Sequence, residues 1–438
     1  MIDAAAGDST DRTDAGDGLL FVNVKQVVTC GGPGRARRGG EMRDAGVRSG
    51  VAVFVHGATI AAVESEKELR RRHPSVPTVD CAGGVLTPGF VDSHTHAIFG
   101  RPRFEEQELR AAGVDYMEIA RRGGGIHASV RDLRSRSAAD LVALARPRLA
   151  RLAASGVTTV EIKSGYGLTV DDELKTLRVA RQLAAELPMR IVPTFLGAHE
   201  IPLEYRGEGN RREEYIDLVI REMIPTVARE ELALFADVFC EPGVYTVSES
   251  RRILAAARAH GLGIKLHADE LENGSGAELA AELGAVSADH LAAISDTGIA
   301  ALARSGTVAT LLPGTMLFLG KTRQAPARAL VDGGVALALA TDFNPGTSPT
   351  TNFPLLLTLG VSQLHLSVNE SLVAATVNGA AALGLAHRVG QIAPGFSADL
   401  ALHAVEDVRE LAYWYGERLC RGSWVAGKAC HQYDLPVS

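Results

Sequence analysis

Eight short apolar runs, alternating with stretches of helical periodicity, constrain this chain more than any other feature. They are GFVDSHTH (89–96), GVTTVEIKS (156–164), MRIVPTFLGAH (189–199), ADVFCEP (236–242), GIKLHAD (263–269), AVSADHL (285–291), GTVATLLP (306–313) and VALALATD (335–342). Short apolar runs suit strands of a parallel sheet buried on both faces. Between them lie AADLVALARPRLARLAASG, DDELKTLRVARQLAAEL, SESRRILAAARAHG, GAELAAELG and DTGIAALARSG. Several of these helical patterns close on glycine, which tolerates the left-handed turn after a helix. Eight such alternations predict an α/β fold, a (β/α)8 TIM-like barrel. An open doubly wound sheet is the competing architecture. It calls for a GxGxxG after the first strand or a P-loop, and neither is present; GRARRGG and RRGGG lack the strand context and spacing.

The flanks read differently. LLFVNVKQVVT and GVAVFVHGATIAAV, before residue 88, are rich in β-branched residues and partly alternating, and GFSADLALHAV and SWVAGKAC repeat that texture near the C-terminus. The expectation is a small β-sandwich domain built from both termini, 18–88 plus 389–438, around a barrel over 89–388. The acidic, polar first 17 residues are expected to be a disordered tail. They lack the basic start and apolar core of a signal peptide, and no apolar run reaches the ~18 residues a membrane span needs. Five scattered cysteines without a CxxC pair argue against a disulfide framework. A net charge of −7 argues against nucleic acid or an anionic membrane as partner. A cytoplasmic location is the expectation.

Barrel chemistry gathers at the C-terminal ends of the strands. The first run ends in His94 and His96, the second leads into Tyr166, the third into His199 and the fourth into Glu241. The fifth ends in His267 with Glu270 three residues on, the sixth carries His290, and the eighth ends in Asp342. Residues i and i+2 of a strand point the same way, so His94 and His96 can hold one ion together. Imidazole and carboxylate suit Zn2+ or Fe2+. His94, His96, His267 and Asp342 make a three-histidine, one-aspartate set with room for a water, the open position that marks a catalytic site. Such a metal lowers the pKa of water to about 7 and polarises a carbonyl. Each residue alone has a plainer reading: a lone histidine is more often a core or surface residue, Asp342 before FNPG can be a turn former, and Glu270 a helix-start carboxylate. The case rests on their coincidence at the ends of different strands.

At these residues the chain resembles the amidohydrolase superfamily. The carrying features are PGFVDSHTH on the first strand, histidines ending the fifth and sixth, aspartate ending the eighth, and the closing IAPGFSADLAL. The segments GFVDSHTHAIFGRPRFEE, RGGGI, EIKSGYGL, PTFLGAHEIP, LHADE and ATDFNPGTSPT resemble one branch, that which opens the cyclic amide of 4-imidazolone-5-propanoate to N-formimidoyl-L-glutamate in histidine degradation. The likeness runs from about 20 to 430. It implies His94, His96, His267 and Asp342 as ligands of one divalent ion, zinc or iron. It implies Arg103, Tyr166 and His199 as substrate-binding residues, with Asn344, Gly346 and Thr347 forming the loop that holds substrate or product. Glu270 and His290 match the residues for proton transfer and carbonyl polarisation, and Asp342 shares the proton handling.

The residues agree with those roles. The substrate's carboxylate tail calls for a cation, and a guanidinium grips a carboxylate bidentately. Arg103 lies just past the first strand; Arg101 competes with it, and only the resemblance favours Arg103. Two-metal relatives carry a bridging lysine on strand four, where this chain has DVFCEPG; Lys163 lies on strand two instead, which points to one metal. The resemblance also implies a homodimer. The alternative is an aminohydrolase that deaminates a purine- or pyrimidine-like ring, against which stand KSGYG and a carboxylate clamp that a neutral base does not need. A barrel scaffold without catalysis predicts missing ligands, and none is missing.

Overall fold

The structure is a computed structural model describing residues 18–114, 118 and 123–432. The tail expected over 1–17 and the last six residues of the expected β domain lie outside the described residues. Eight parallel strands follow one another in chain order: Phe90–Asp92, Val157–Lys163, Arg190–Ala198, Phe235–Cys240, Gly263–Ala268, Ser287–His290, Val308–Leu311 and Leu337–Leu339. Each pairs with the next. Helices return the chain between strands, among them Ala138–Ala153, Val170–Glu186, Val247–Ala259, Gly276–Leu283 and Asp296–Ser305. Ser137, Thr169, Thr246 and Ser295 cap helix starts through their side-chain oxygens. Gly284 and Gly306 end two helices with φ of 64° and 82°, a region that side-chain-bearing residues enter only at a cost.

The first and eighth strands are shorter than the runs 89–96 and 335–342 suggest: each ladder keeps three residues. A side chain replaces the missing ladder. The Asp92 carboxylate accepts from the Thr341 backbone N–H at 2.9 Å and from its hydroxyl at 2.6 Å. Past it the seam closes by a parallel bridge between Thr95 and Phe343, with His96 N–H donating to the Phe343 carbonyl at 2.9 Å and Asp342 N–H to the His94 carbonyl at 3.0 Å. The bridge leaves His94 and His96 on one face beyond the regular strand, with Asp342, at φ 51°, across from them.

Strands from both ends of the chain pair outside the barrel. A six-stranded sheet runs in the order Lys428–Gln432, Cys420–Val425, Leu400–His403, Val85–Pro88, Gln26–Val28, Val47–Arg48. A four-stranded sheet runs Thr59–Ser65, Val51–His56, Gly18–Val22, Thr78–Asp80. Phe21, Val53, Leu86, Leu400 and Trp424 pack in a common apolar layer, the rings of Phe21 and Trp424 meeting edge to face at 4.9 Å. Val85–Pro88 passes through Gly89 directly into the first barrel strand. A methyl at Gly89 would lie 2.1 Å from the Thr158 hydroxyl, so only glycine lets the two layers approach.

Candidate active site and metal centre

The strand ends bring five imidazoles together. His94 lies 4.5 Å from His267, 5.3 Å from His290 and 5.4 Å from His96, ring centre to ring centre, and His96 stacks on His199 at 5.0 Å. Asp342 Oδ1 sits 3.7 Å from His94 Nε2 and 3.6 Å from His96 Nε2. Two donors bound to one ion at ~2.0–2.1 Å in tetrahedral geometry stand about 3.4 Å apart, so these spacings fit one ion between them. The Nε2 atoms of His94 and His267 are buried and have no hydrogen-bond partner in the protein. Burial holds the rings of His94, His96 and His267 well below the usual histidine pKa, and therefore neutral, the form that binds metal. Burial also raises Asp342 to about 7, against the hydrogen bond it accepts from the Thr315 hydroxyl at 2.7 Å. Unpartnered imidazole nitrogens beside a carboxylate fit a divalent metal ion.

Glu270 and His290 flank this cluster, Glu270 Oε2 lying 3.6 Å from His290 Nδ1. Burial, with Asp342 and Glu241 adding like charge, pushes the Glu270 carboxyl well above its usual range. Burial lowers His290 to about 4, so the ring is neutral at pH 7. Glu241, read from sequence as another strand-end carboxylate, serves the backbone instead. It accepts from the N–H groups of Glu270, Leu271 and Glu272 and so fixes the turn carrying Glu270.

Tyr166 and His199 form the adjacent wall, their rings 5.5 Å apart. His199 Nδ1 pairs with the Gly165 carbonyl at 3.0 Å, and a methyl on Gly165 would lie 2.8 Å from that nitrogen. The KSGYG turn is held by a residue without a sequence signal of its own. The buried carboxylate of Glu173 accepts from the N–H groups of Gly165, Gly167 and Leu168.

Arg103 and Arg101 part company. Arg101 is exposed and pairs with Glu105. The Arg103 side chain is only 8% exposed, its Nε 3.1 Å from Glu106 and its Nη1 donating to the Ser129 hydroxyl at 2.9 Å. Its guanidinium lies against Gly346, where an added methyl would fall 1.6 Å from Nη2. Asn344 spends its amide inside the loop. It donates to the Asp342 carbonyl and the Thr347 hydroxyl, and accepts from the Gly346 and Thr347 N–H groups. Asn344 therefore shapes the loop that presents Gly346 and Thr347.

Under the histidines lies a layer of charge that strand-end reasoning did not reach. His94 Nδ1 pairs with Asp289 Oδ2 at 2.7 Å, and His267 Nδ1 lies 3.0 Å from Asp237 Oδ2. Lys163, Lys265 and Glu161 join these aspartates, all fully buried. Burial disfavours the Lys163 ammonium, but Asp237, Glu161 and Asp289 outweigh it and raise its pKa. The signal was present in the inward positions Glu161, Lys163 and Lys265, polar residues in runs that otherwise read as core.

A model of the amidohydrolase family matches residues 85–418. The chain is 48% identical over 403 residues to an imidazolonepropionase of Symbiobacterium thermophilum, covering 91% of this chain and 93% of that protein. It is 44% identical over 413 residues to an imidazolonepropionase of Solibacter usitatus, covering 94% and 98%. The chain belongs to the imidazolonepropionases of the amidohydrolase family. Among solved structures, an adenosine deaminase from Xanthomonas campestris with bound zinc superposes with a TM-score of 0.70 at 20% identity, over 95% of this chain and 94% of that one. A triazine hydrolase variant does so at 0.69 and 18%, over 95% of each. At those identities the likeness is one of fold, so the deaminase reading gains nothing over the family assignment. No helix among the described residues is long and apolar enough to cross a membrane.

Proposed function

We propose that this chain hydrolyses the ring amide of 4-imidazolone-5-propanoate to N-formimidoyl-L-glutamate. The observation that carries the reading is the pairing of a histidine–aspartate cluster with an arginine of largely buried side chain at one barrel mouth, in a chain nearly half identical to imidazolonepropionases. His94, His96, His267 and Asp342 would hold one ion, Zn2+ or Fe2+, since both accept nitrogen and carboxylate ligands. A divalent ion there supplies Lewis-acid chemistry, making water acidic near neutral pH and polarising a carbonyl.

The remaining work falls to the side chains. Arg103 binds the propionate carboxylate, and Tyr166, His199 and the Gly346–Thr347 backbone hold the ring against the cluster. Glu270, whose burial favours a carboxyl that both takes and gives a proton, accepts the proton of the attacking water and delivers it to the departing ring nitrogen. Neutral His290 donates a hydrogen bond to the oxygen that becomes negative as the carbonyl turns tetrahedral. Asp342, across from Glu270, shares the proton. The protein acts in the cytoplasm as a homodimer on this view, and a small acid-tailed molecule is its partner.

Metal analysis coupled to an assay on freshly generated imidazolone propionate tests the proposal. Formimidoylglutamate should form with about one equivalent of zinc or iron per chain, and chelation should abolish turnover until the ion is returned. Ammonia released from a panel of nucleobases, with no formimidoylglutamate, would sink it.

A further inference from the structure

The two aspartates behind the metal-facing histidines share one cation, and the sharing is specific to single atoms. Asp289 Oδ2, the oxygen paired with His94 Nδ1, lies 3.4 Å from Lys163 Nζ. Asp237 Oδ2, the oxygen facing His267 Nδ1, lies 2.7 Å from the same Nζ. The third neighbour of Lys163 is Glu161 Oε2 at 3.0 Å, which also receives Lys265 at 2.9 Å. The other oxygens are tied down separately. Asp289 Oδ1 accepts from the Ser287 hydroxyl at 2.6 Å, Asp237 Oδ1 from the His267 N–H at 3.1 Å, and Glu161 Oε1 from the Thr194 hydroxyl at 2.5 Å. Three carboxylates and two ammonium groups leave the layer with one net negative charge, below rings that are themselves neutral.

From this we infer that Lys163 is a positioning residue for the metal site: by holding Asp237 and Asp289 together, it fixes the hydrogen-bonded Nδ1 edge of His94 and keeps a carboxylate 3.0 Å from the Nδ1 edge of His267. An imidazole that gives its Nδ1–H to a carboxylate must present a bare Nε2. With Lys163 in place neither aspartate can swing toward the other histidine or toward the ion itself. One ammonium thus holds both carboxylates against their histidines: the Asp289 hydrogen bond sets the His94 tautomer, and the Asp237 charge favours a proton on the near edge of His267. The inference rests on reading the histidine–aspartate cluster as the metal site. Lys265 has further partners: it bonds the Ser93 and Ala382 carbonyls, neutralises Glu161 and, 3.9 Å from Asp289, adds positive charge beside that aspartate as well.

Lys163→Met alone strands three buried carboxylates on one lysine and risks unfolding. The informative variant is Lys163→Met with Glu161→Gln, which removes one charge of each sign and keeps the net charge of the layer. Nitrogen-15 NMR of the metal-free wild type should show His94 and His267 as Nδ1–H tautomers; finding either as Nε2–H overturns the inference without any variant. In the folded double variant the two rings should become tautomer mixtures, and competition against a chromophoric chelator should show Zn2+ binding weakened 10–100-fold. Affinity within twofold of wild type and unchanged tautomers would mean that Lys163 only balances charge. If the tautomers respond as expected while neither Zn2+ nor Fe2+ binds the wild type, the metal reading falls and the positioning role stands.

Discussion

Replacing Gly346 by alanine should damage substrate binding without touching the metal. The backbone at this glycine is not in the left-handed region, so the substitution is conformationally permitted, and its whole effect comes from the methyl. That methyl would stand 1.6 Å from Arg103 Nη2 and 2.1 Å from Cζ. A comfortable contact needs about 3.5 Å, so the guanidinium must withdraw by nearly 2 Å. It is held by Glu106 and Ser129 and buried to all but 8%, so it moves by breaking those contacts and not by sliding over Gly346. A charge-assisted contact to the substrate carboxylate is worth about 2–3 kcal/mol, and losing it lowers kcat/KM roughly 30- to 150-fold, mostly through KM. The assay is steady-state kinetics on imidazolone propionate with metal content measured on the same samples. The decisive control is Arg103→Ala. If both changes act through one guanidinium, Gly346→Ala should add little in the Arg103→Ala background. A KM within twofold of wild type, or full additivity of the two variants, refutes the argument.

Other expectations follow from the same geometry. Glu270→Gln should retain the metal while kcat falls about 10²- to 10⁴-fold; near-normal turnover removes Glu270 from the proton path. Gly165→Ala forces a methyl to within 2.8 Å of His199 Nδ1 at a φ of 106°, so it should cost both stability and substrate affinity. A normal KM would show that His199 does not bind substrate. Buried His403 pairs with the Thr87 hydroxyl at 3.0 Å, and burial lowers it to about 3. Its folded pKa lies below the unfolded value of about 6.5, so the unfolded chain binds the extra proton as pH falls. Stability contributed above pH ~6.5 is then lost toward pH 3 at up to about 1.4 kcal/mol per pH unit. Urea midpoints of metal-loaded protein between pH 7 and 5 should therefore fall less in His403→Gln than in wild type. Equal slopes would mean that His403 is already charged in the folded state.

The barrel is legible because its strands are short apolar runs with polar residues confined to one end. Residues gathered at the mouth, such as His94, His96, His267 and Asp342, break the apolar pattern where a barrel places chemistry. Glu161, Lys163 and Lys265 break it in the middle of strands, where the reading expects core, and only their mutual neutralisation explains them. Spacing could not show that, because Lys163 finds Asp237 and Asp289 on strands far away in sequence. The shortened first and eighth strands were hidden for a related reason. The seam is held by the Asp92 carboxylate, and a side chain substituting for a backbone ladder leaves no periodicity to read. Asn344 shows the reverse case: a residue placed at the substrate by resemblance spends its amide on its own loop.

The six-stranded sheet bears on how the molecule is made. Val85–Pro88 leads into the strand that carries His94 and His96, yet its antiparallel neighbour is Leu400–His403. At ~5–20 residues per second, the ribosome delivers that neighbour about 15–60 s after the first strand has emerged. Throughout that interval the edge of Val85–Pro88 facing the late strand is open, and Gly89 N–H lacks the Asp399 carbonyl that it finds in the finished protein. The root of the first barrel strand is thus pinned on one side by a segment more than 300 residues further along the chain. A chain stopped before residue 400 would carry every histidine of the cluster and could still pair Phe90–Asp92 with Val157–Lys163, but the root of that strand would lack its antiparallel neighbour.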